Sequence, residues 1–302
     1  MDVFVTGATG FIGGSVAVRL VEAGHRVRGL ARSAEKGEAL RGIGVEAVIG
    51  SLDDEDTLTA AARESDAVIN AADSDHRGAV DTFVEALAGT GKVLLHTSGS
   101  SIVGDDSRGE ASDRVHTEAE VLGDWEPAPD KAARVAIDRS VLAAADRGVR
   151  SAVLCNTLIY GHGRGLARDS VQIPRLVAQA EKSGVVRHVG PGRNIWSNAH
   201  VDDVAGLYVK ALDGIAPGTF HFVESGEASF LDITGAIADA LGLGPPQAWD
   251  IDSAIAEWGY EPAVFALGSN SRVRGTAREV LGWRPRHDSV TSWIRGGLAE
   301  GR

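Results

Sequence analysis

Short runs of apolar residues alternate with amphipathic stretches along most of the chain. An apolar run over residues 3–5 ends at Thr6, and after a short break Val16, Leu20 and Val21 recur at the spacing of a helix face. The run predicts a strand, and the spacing of three to four residues predicts an amphipathic helix. The chain therefore begins with a strand, a tight turn and a helix.

The same alternation continues beyond this first unit and indicates the architecture. Further strands are predicted at residues 26–30, 45–49, 67–72, 92–97, 151–156 and 218–223, and helices at 131–146, 204–212 and 230–241. Strands that alternate with helices form parallel sheets, because each crossover returns the chain in the same direction. We therefore expect an α/β fold, a doubly wound parallel sheet of about seven strands with helices on both faces.

Three glycines occupy the break after the first strand, at positions 7, 10 and 13. Gly7 lets the chain turn sharply, Gly10 lets the backbone approach a ligand, and Gly13 lets the helix pack closely on the strand. The free N–H groups and the positive dipole end of the helix favour an anion, and a diphosphate suits them. Because the motif lies directly between a strand and a helix, it predicts a dinucleotide site.

Composition and charge limit the classes of partner. The 302 residues are 43% hydrophobic, and their formal charge is -12. No basic cluster offsets this charge, so we expect a small-molecule substrate and no nucleic acid. Without a charged leader or a long apolar segment, the protein is expected to be cytoplasmic and to have no membrane partner. The single cysteine, Cys155, lies in an apolar run and is expected to be a buried thiol.

The segment after the second strand bears on the choice of cofactor. In NAD sites a carboxylate about twenty residues beyond the glycines holds the ribose hydroxyls. This sequence has Arg32 and Ser33 there, with Lys36 nearby and no acid. A guanidinium can bind the 2'-phosphate of NADP through two hydrogen bonds. We therefore expect NADP rather than NAD, the alternative being that Arg32 is a solvated surface residue.

Residues 5–13, with the spacing Gly-x-x-Gly-x-x-Gly, closely resemble the start of the extended short-chain dehydrogenase/reductases. That family includes sugar-nucleotide epimerases, dehydratases and ketone reductases. Further segments that are similar to the family lie at residues 90–104, 151–163, 195–205 and 276–283. The resemblance therefore covers the whole chain.

The resemblance implies a two-part organisation. Residues 1–163 are expected to form the dinucleotide-binding domain, to which residues 195–215 return. Residues 164–194 and 216–302 are expected to form a smaller, interwoven substrate-binding cap. The resemblance also implies a homodimer in which the helix at 131–146 packs against its copy.

The resemblance also implies cofactor contacts at the ends of the strands. Leu52 is expected to cover the adenine, and backbone groups near Thr157 and Leu158 to meet the nicotinamide amide. Asp53 beside Leu52 has a simpler alternative role, as the cap of the helix that begins near Asp54. The expected cofactor residues are Gly7, Thr9, Gly10, Phe11, Ile12, Gly13, Arg32, Ser33, Leu52, Asn70, Ala71, Ala72, Arg134, Thr157 and Leu158.

The family's Tyr-x-x-x-Lys pair is missing from this sequence. In the family the tyrosine gives a proton to the forming alkoxide, and the lysine lowers the tyrosine pKa and holds the nicotinamide ribose. The pattern falls here on Asp130 and Arg134. Arg134 retains a cation for the ribose, whereas the carboxyl of Asp130 is a poor proton donor because an ordinary carboxyl is ionised at neutral pH. The alternative is an i,i+4 ion pair between these two residues on a structural helix.

Other candidate catalytic residues follow the fifth and sixth strands. The resemblance implies that a serine after the fifth strand binds the substrate carbonyl, and Ser98 and Ser100 are the candidates; the alternative is that their hydroxyls close a turn. It also implies that Tyr160 or His162 lies near the substrate. His162 can donate a proton at neutral pH, although a loop histidine is often without a role.

The segment at residues 195–205 is expected to contribute one side chain to the substrate pocket and to begin a helix. Trp196 is expected to wall the substrate pocket, and Asp202 or Asp203 to cap the helix at 204–212. His200 and Asp202 alone are too few ligands for a metal ion, so no metal is expected.

Taken together, these features predict an NAD(P)-dependent oxidoreductase that transfers a hydride between NADP(H) and a carbonyl or imine carbon of a small molecule. An imine would compensate for the missing tyrosine, because its nitrogen can arrive already protonated. Two alternatives stay open: an isomerase or lyase of the epimerase/dehydratase type that retains its cofactor, and a non-catalytic dinucleotide-binding redox sensor.

Overall fold

The chain folds into alternating strands and helices in a computed structural model that describes residues 1–298. The strands are β1 (Asp2–Thr6), β2 (Arg26–Ala31), β3 (Glu46–Ile49), β4 (Ala67–Asn70), β5 (Val93–Gly99), β6 (His116–Thr117), β7 (Arg150–Asn156), β8 (Leu158–Tyr160), β9 (Arg187–Val189), β10 (Ile195–His200), β11 (Thr219–Val223), β12 (Gly226–Ser229), β13 (Gln247–Trp249) and β14 (Val273–Arg274). The helices are α1 (Phe11–Glu22), α2 (Ala34–Gly42), α3 (Glu55–Glu64), α4 (Arg77–Leu87), α5 (Glu118–Leu122), α6 (Ala132–Ala143), α7 (Gln172–Ser183), α8 (Val201–Gly214), α9 (Phe230–Leu241), α10 (Ile251–Trp258), α11 (Ala277–Val280) and α12 (Val290–Gly297). Short 3-10 helices at Ser100–Val103 and Ala144–Arg147 and a π-helix at Pro262–Leu267 complete the regular structure.

The main sheet has seven parallel strands in the spatial order β11, β7, β5, β4, β1, β2, β3. The chain first moves outward from β1 to β2 and β3, and then crosses to β4 on the other side of β1. This reversal leaves a crevice at the carboxyl ends of β1 and β4, the place where doubly wound sheets bind ligands. The predicted fold class is confirmed.

Helices cover both faces of the sheet and bury its apolar side chains. On one face α1 and α8 pack together, with Val16, Leu20 and Leu207 fully buried. On the other face α3, α4 and α6 bury residues such as Phe83 and Val141. Burial on both faces accounts for the near-continuous apolar runs of the strands.

A third cluster of buried side chains forms the core of the cap, from α7, α9, α10 and α12. A three-stranded sheet in the order β12, β10, β8 lies with it. The expected division of the chain differs from the structure at two points. Strand β11 pairs with β7 as an edge strand of the main sheet, although residues 216–302 were expected to belong to the cap. Strand β10 pairs with β8 and β12 rather than with the main sheet, so within residues 195–215 it is α8 and Ala199 of β10 that pack on the dinucleotide domain.

Helix bounds differ from the expected ones mainly near the C-terminal end. The helix expected at residues 276–283 is the short α11, after which Trp283 packs into the core of the main sheet. Within residues 1–298 there is no helix with the length and apolar character needed to cross a membrane.

Candidate functional site

The turn between β1 and α1 is shaped by the absence of side chains. Gly7 has φ of +69°, and a Cβ there would lie 2.3 Å from the carbonyl oxygen of Ala71. A Cβ on Gly13 would lie 2.4 Å from the carbonyl oxygen of Gly7. The turn therefore packs β1, α1 and the end of β4 together at distances that only glycine allows.

The start of α1 presents backbone donors to the crevice. No side chain caps this helix, and the Gly10 amide donates to the Gly7 carbonyl at 2.8 Å. A Cβ on Gly10 would meet only that carbonyl oxygen, at 3.2 Å. Thr9, Phe11 and Ile12 are partly exposed. An uncapped helix start with open space in front of it fits the diphosphate of a dinucleotide.

Polar side chains join the strand ends beside this turn. The Thr6 hydroxyl donates to Asn70 at 2.6 Å and accepts from the Ala71 amide at 3.1 Å. The amide nitrogen of Asn70 lies 3.1 Å from Nδ1 of His96 on β5. Asn70 is buried, so its side chain holds strands together, while Ala71 and Ala72 beyond it are partly exposed and exposed.

The segments after β2 and β3 contain three residues that were expected to contact the cofactor. Arg32 is exposed and makes no hydrogen bond or ion pair within residues 1–298, whereas the Ser33 hydroxyl caps α2 by accepting from the Lys36 amide at 3.2 Å. Leu52 packs against the core.

The expectation that Asp53 caps α3 is wrong. Asp54 accepts from the Thr57 amide at 3.1 Å and is the cap, because it is the residue directly before the first turn. Asp53 instead contacts Nε2 of His76 at 3.1 Å, and Nδ1 of His76 caps α4.

The two serines expected to bind a substrate carbonyl have other partners. Ser98 is 3% exposed, and its hydroxyl donates to Asp138 on α6 at 2.7 Å. Ser100 is 1% exposed, and its hydroxyl lies 2.8 Å from that of Ser271 in the cap. Their side chains therefore hold elements together, and neither belongs to the lining of the cleft between the two domains that is described below.

The serine that does face a cavity is Ser101, which sequence reasoning missed. It follows the end of β5 and is partly exposed. Nη1 of Arg134 donates to its hydroxyl oxygen at 3.0 Å. The run Ser98, Gly99, Ser100, Ser101 offered a signal, but only the short 3-10 helix that begins at Ser100 determines which hydroxyl turns outward.

Arg134 is held by a carboxylate from a neighbouring strand end. Its Nε donates to Asp75 at 2.7 Å, and its Nη2 donates to the other carboxylate oxygen of Asp75. These bonds lower the pKa of Asp75 and raise that of Arg134. Because Asp75 follows β4 and Ser101 follows β5, pairing of the two strands brings both side chains to one edge.

The predicted ion pair between Asp130 and Arg134 is wrong. Asp130 lies in a turn before α6 rather than on it, and it pairs with Lys131 at 2.9 Å. The hydrogen bond from Lys131 lowers the pKa of Asp130 below that of an ordinary carboxyl. Asp130 is therefore ionised at neutral pH and has no proton to donate.

Beneath Arg134, α6 carries a buried carboxyl. Burial raises the pKa of Asp138 to about 7, against the hydrogen bond from Ser98. Burial also lowers the pKa of His96 to about 4, and its Nε2 lies 3.6 Å from Asp138. Between these two values both groups are uncharged in the folded protein.

The remaining expected residues lie around β8. The Thr157 hydroxyl donates to the Val223 carbonyl at 2.7 Å, and Leu158 is buried. Tyr160 is fully buried with its hydroxyl unpartnered, and burial raises its pKa. Nε2 of His162 lies 3.0 Å from the carbonyl oxygen of Gly297. His162 also borders a cavity of about 250 Å³ beside α7.

A cleft of about 730 Å³ lies between the dinucleotide domain and the cap. Its residues from the dinucleotide domain include Asp75, Ser101, Asp130, Lys131 and Arg134. Its residues from the cap include Val171, Gln172, Arg175, Trp196, Glu261, Pro262 and Phe265. Trp196 lines this cleft, and its role in a substrate pocket stays a prediction. The volume is typical of a small-molecule site.

The start of α8 differs from expectation. Nδ1 of His200 accepts from the Asp202 amide at 3.2 Å and caps the helix. Asp203 instead accepts from the backbone amides of Arg286 and His287, at 3.0 and 2.9 Å, and so fixes the C-terminal segment. Over residues 1–298 no group of three or more His, Cys, Asp or Glu side chains is placed to hold a metal ion. Cys155 is buried and free.

The chain is similar to known proteins in sequence and in fold. Residues 3–221 match the sequence model of the NAD dependent epimerase/dehydratase family. The chain is 33% identical to oxidase ucsJ of Acremonium sp, over 94% of this chain and 92% of that protein. It is 30% identical to a 2-alkyl-3-oxoalkanoate reductase of Stenotrophomonas maltophilia, over 75% of this chain and 71% of that one.

Among solved structures, a dTDP-glucose 4,6-dehydratase of Bacillus anthracis in complex with NAD superposes with a TM-score of 0.77. It covers 99% of this chain and 96% of its own at 17% identity, a likeness of fold alone.

Proposed function

The chain belongs to the NAD dependent epimerase/dehydratase family, and we propose that it transfers a hydride between NADP(H) and the carbonyl carbon of a small organic molecule. The names of two relatives, an oxidase and a reductase, support redox chemistry for this chain. The uncapped start of α1 and the glycine turn would hold the diphosphate of the cofactor. When bound, a reduced nicotinamide supplies the hydride.

The observation that carries the proposal is the hydrogen bond from Arg134 to the hydroxyl oxygen of Ser101. An N–H that donates to a serine oxygen leaves the hydroxyl proton free to be donated elsewhere. In the cleft that proton is available to a substrate carbonyl oxygen. The bidentate pair with Asp75 fixes the guanidinium, so the donor is oriented before substrate arrives.

During reduction, negative charge develops on the carbonyl oxygen as hydride adds to the carbon. Ser101 donates a hydrogen bond to that oxygen, and the positive charge of Arg134 behind it stabilises the charge. The proton that completes the alcohol comes from water in the cleft. No side chain with an unusually low hydroxyl pKa is then needed in place of the missing tyrosine.

The hydroxyl of Ser101 favours a carbonyl over a protonated imine. Because Arg134 donates to the Ser101 oxygen, the hydroxyl proton points to the substrate. A carbonyl oxygen has lone pairs that accept this hydrogen bond, whereas a protonated imine nitrogen has none. We therefore place the ketone reading ahead of the imine reading.

Arg32 carries the proposed preference for NADP. It is exposed and unpaired within residues 1–298, so its guanidinium is available for a 2'-phosphate. We expect Arg32→Ala to raise the NADPH dissociation constant roughly tenfold or more and the NADH constant less than about twofold. The matched control is Arg41→Ala, an exposed arginine of α2 that pairs with Glu38 at 2.7 Å. Equal losses for the two cofactors would refute the assignment.

The direct test of the reaction uses the purified protein. NADPH and NADH are titrated against the fluorescence of the six tryptophans, and absorbance of the reduced nicotinamide is then followed with ketones and cyclic imines. Steady consumption of NADPH with a ketone is the expected result.

Two other outcomes identify the alternative functions. Cofactor that stays bound through purification, with product formed but no net NADPH consumed, would identify an isomerase or lyase. Binding without any turnover would favour the redox sensor.

A further inference from the structure

Arg175 is a partly buried cation without a counter-ion. It lies on α7, which is anchored in the cap core by Ile173 and Leu176, and it lines the cleft. Within residues 1–298 its guanidinium makes no hydrogen bond or ion pair, and its Nη1 is covered by protein without an acceptor. Burying part of a charge without a partner is costly. Arg175 therefore loses contact with water without a gain inside the protein.

The other two cations of the cleft differ from Arg175 in this respect. Arg134 pairs with Asp75, and Lys131 pairs with Asp130 at 2.9 Å. Glu261, the remaining acid of the cleft, is exposed, so water screens its charge. Within the described part of the cleft, Arg175 is thus the partly buried charge that has no partner, whereas the unpaired charge of Glu261 is exposed to water.

The lining of the cleft includes two aromatic side chains of the cap, Trp196 and Phe265. Trp196 is fixed by the hydrogen bond from its Nε1 to the Ser269 carbonyl at 2.8 Å. Phe265 is partly buried, and Nζ of Lys131 lies over one face of its ring, 3.8 Å from the centroid. Such surfaces pack well against a planar ring of a ligand.

We propose that Arg175 binds a carboxylate of the substrate, and that the protein acts on oxo acids whose apolar, ring-bearing body lies against Trp196 and Phe265. A single negative charge matches the single unpaired cation, and a carboxylate accepts two parallel N–H bonds from a guanidinium. The inference rests on the proposed function, because it places the carbonyl of the same molecule at Ser101. It makes Arg175 the residue that selects acids over neutral ketones.

Pairs of ketones that differ only in charge test this selection. Benzoylformate, 3-benzoylpropanoate and 4-acetylbenzoate are each compared with their methyl esters, in NADPH consumption and in tryptophan fluorescence titrations of the NADP⁺ complex. We expect the wild type to prefer at least one acid over its ester roughly 10- to 100-fold. Arg175→Gln should abolish that preference, change ester parameters less than about twofold and leave the NADPH dissociation constant unchanged.

The control is Lys182→Gln, which removes one positive charge from the same helix at an exposed position outside the cleft. It should keep the preference for the acid. Equal binding of acid and ester by the wild type, or a preference that survives in Arg175→Gln, would overturn the inference.

The two proposals fail separately. If esters and acids are reduced equally, the reductase stands and the role of Arg175 falls. If nothing is reduced but acids still bind through Arg175, the reductase falls and the anion site stands.

Discussion

Helix α6 meets β5 at one place and the 3-10 helix that follows β5 at another, about one helical turn apart, and each meeting joins a serine to an ionisable side chain. At the inner meeting Ser98 donates to Asp138 at 2.7 Å, and both residues are buried. At the outer meeting Arg134 donates to Ser101 at 3.0 Å, and both residues line the cleft. One helix, α6, thus makes a buried contact with β5 and a second contact, open to ligands, with the 3-10 helix after it.

Burial decides the chemical difference between the two meetings. Burial raises the pKa of Asp138 to about 7, so its carboxyl is largely protonated below neutral pH. At the outer meeting the hydrogen bond from Arg134 lowers the pKa of Asp75, so these two residues form a full ion pair. Separated charge next to a hydroxyl can stabilise a developing alkoxide, whereas a neutral buried pair can only hold the fold together.

Removal of Arg134, the cation of the outer meeting, should have the largest effect on the rate of reduction. We expect Arg134→Ala to lower the rate of ketone reduction at saturating NADPH about 100-fold or more, because Ser101 loses its polarising donor and Asp75 is left unpaired. Arg134→Lys should recover part of the rate, since it keeps the charge but not the planar fork. Steady-state kinetics measures both.

The matched control for this prediction is Arg139→Ala. Arg139 lies on the same helix and donates to the Trp125 carbonyl at 3.0 Å, away from both meetings. Its loss should change the rate less than about twofold. A comparable loss in both variants would mean that Arg134 acts through the helix rather than through Ser101.

The inner meeting should have a smaller effect, which is on stability. The carboxyl of Asp138 should make the free energy of unfolding depend on pH. With a folded pKa of about 7, Asp138 binds a proton in the folded state that an ordinary carboxyl releases above about pH 4 on unfolding. The folded state therefore holds more protons, and this residue's contribution to stability falls as pH rises from about 4 to 7. His96, with its pKa lowered to about 4, has the opposite effect up to its unfolded value of about 6.5.

We therefore expect Asp138→Asn to gain stability relative to the wild type by about 1 kcal/mol or more between pH 4.5 and pH 7. Urea unfolding at several pH values measures the difference. Asp213→Asn, which makes the same substitution at an exposed position on α8, is the matched control. A constant difference for Asp138→Asn would show that its carboxyl is ionised throughout.

The two meetings also show which parts of the fold and of the site could be predicted from the sequence. The sheet, the glycine turn and most element bounds were predicted, because they depend on local pattern and backbone geometry. The partners of the serines were not: Ser98 and Asp138 are 40 positions apart, and Arg134 and Asp75 are 59 apart. The pattern Asp130-x-x-x-Arg134 indicated a local pair, but the turn before α6 removes Asp130 from the helix face. The 3-10 helix that begins at Ser100 determines which of the adjacent serines faces the cleft, and the long-range contacts determine the partner of each serine.

The most direct measurement is single-turnover oxidation of bound NADPH by a saturating ketone in the wild type, Ser98→Ala and Ser101→Ala. We predict that Ser101→Ala reacts about 100-fold more slowly with an unchanged NADPH dissociation constant, because only this hydroxyl reaches the substrate oxygen. Ser98→Ala should react within about threefold of the wild type while losing about 1 kcal/mol of stability. The reverse result, a slow Ser98→Ala and a wild-type Ser101→Ala, would contradict the assignment of the cleft as the reaction site.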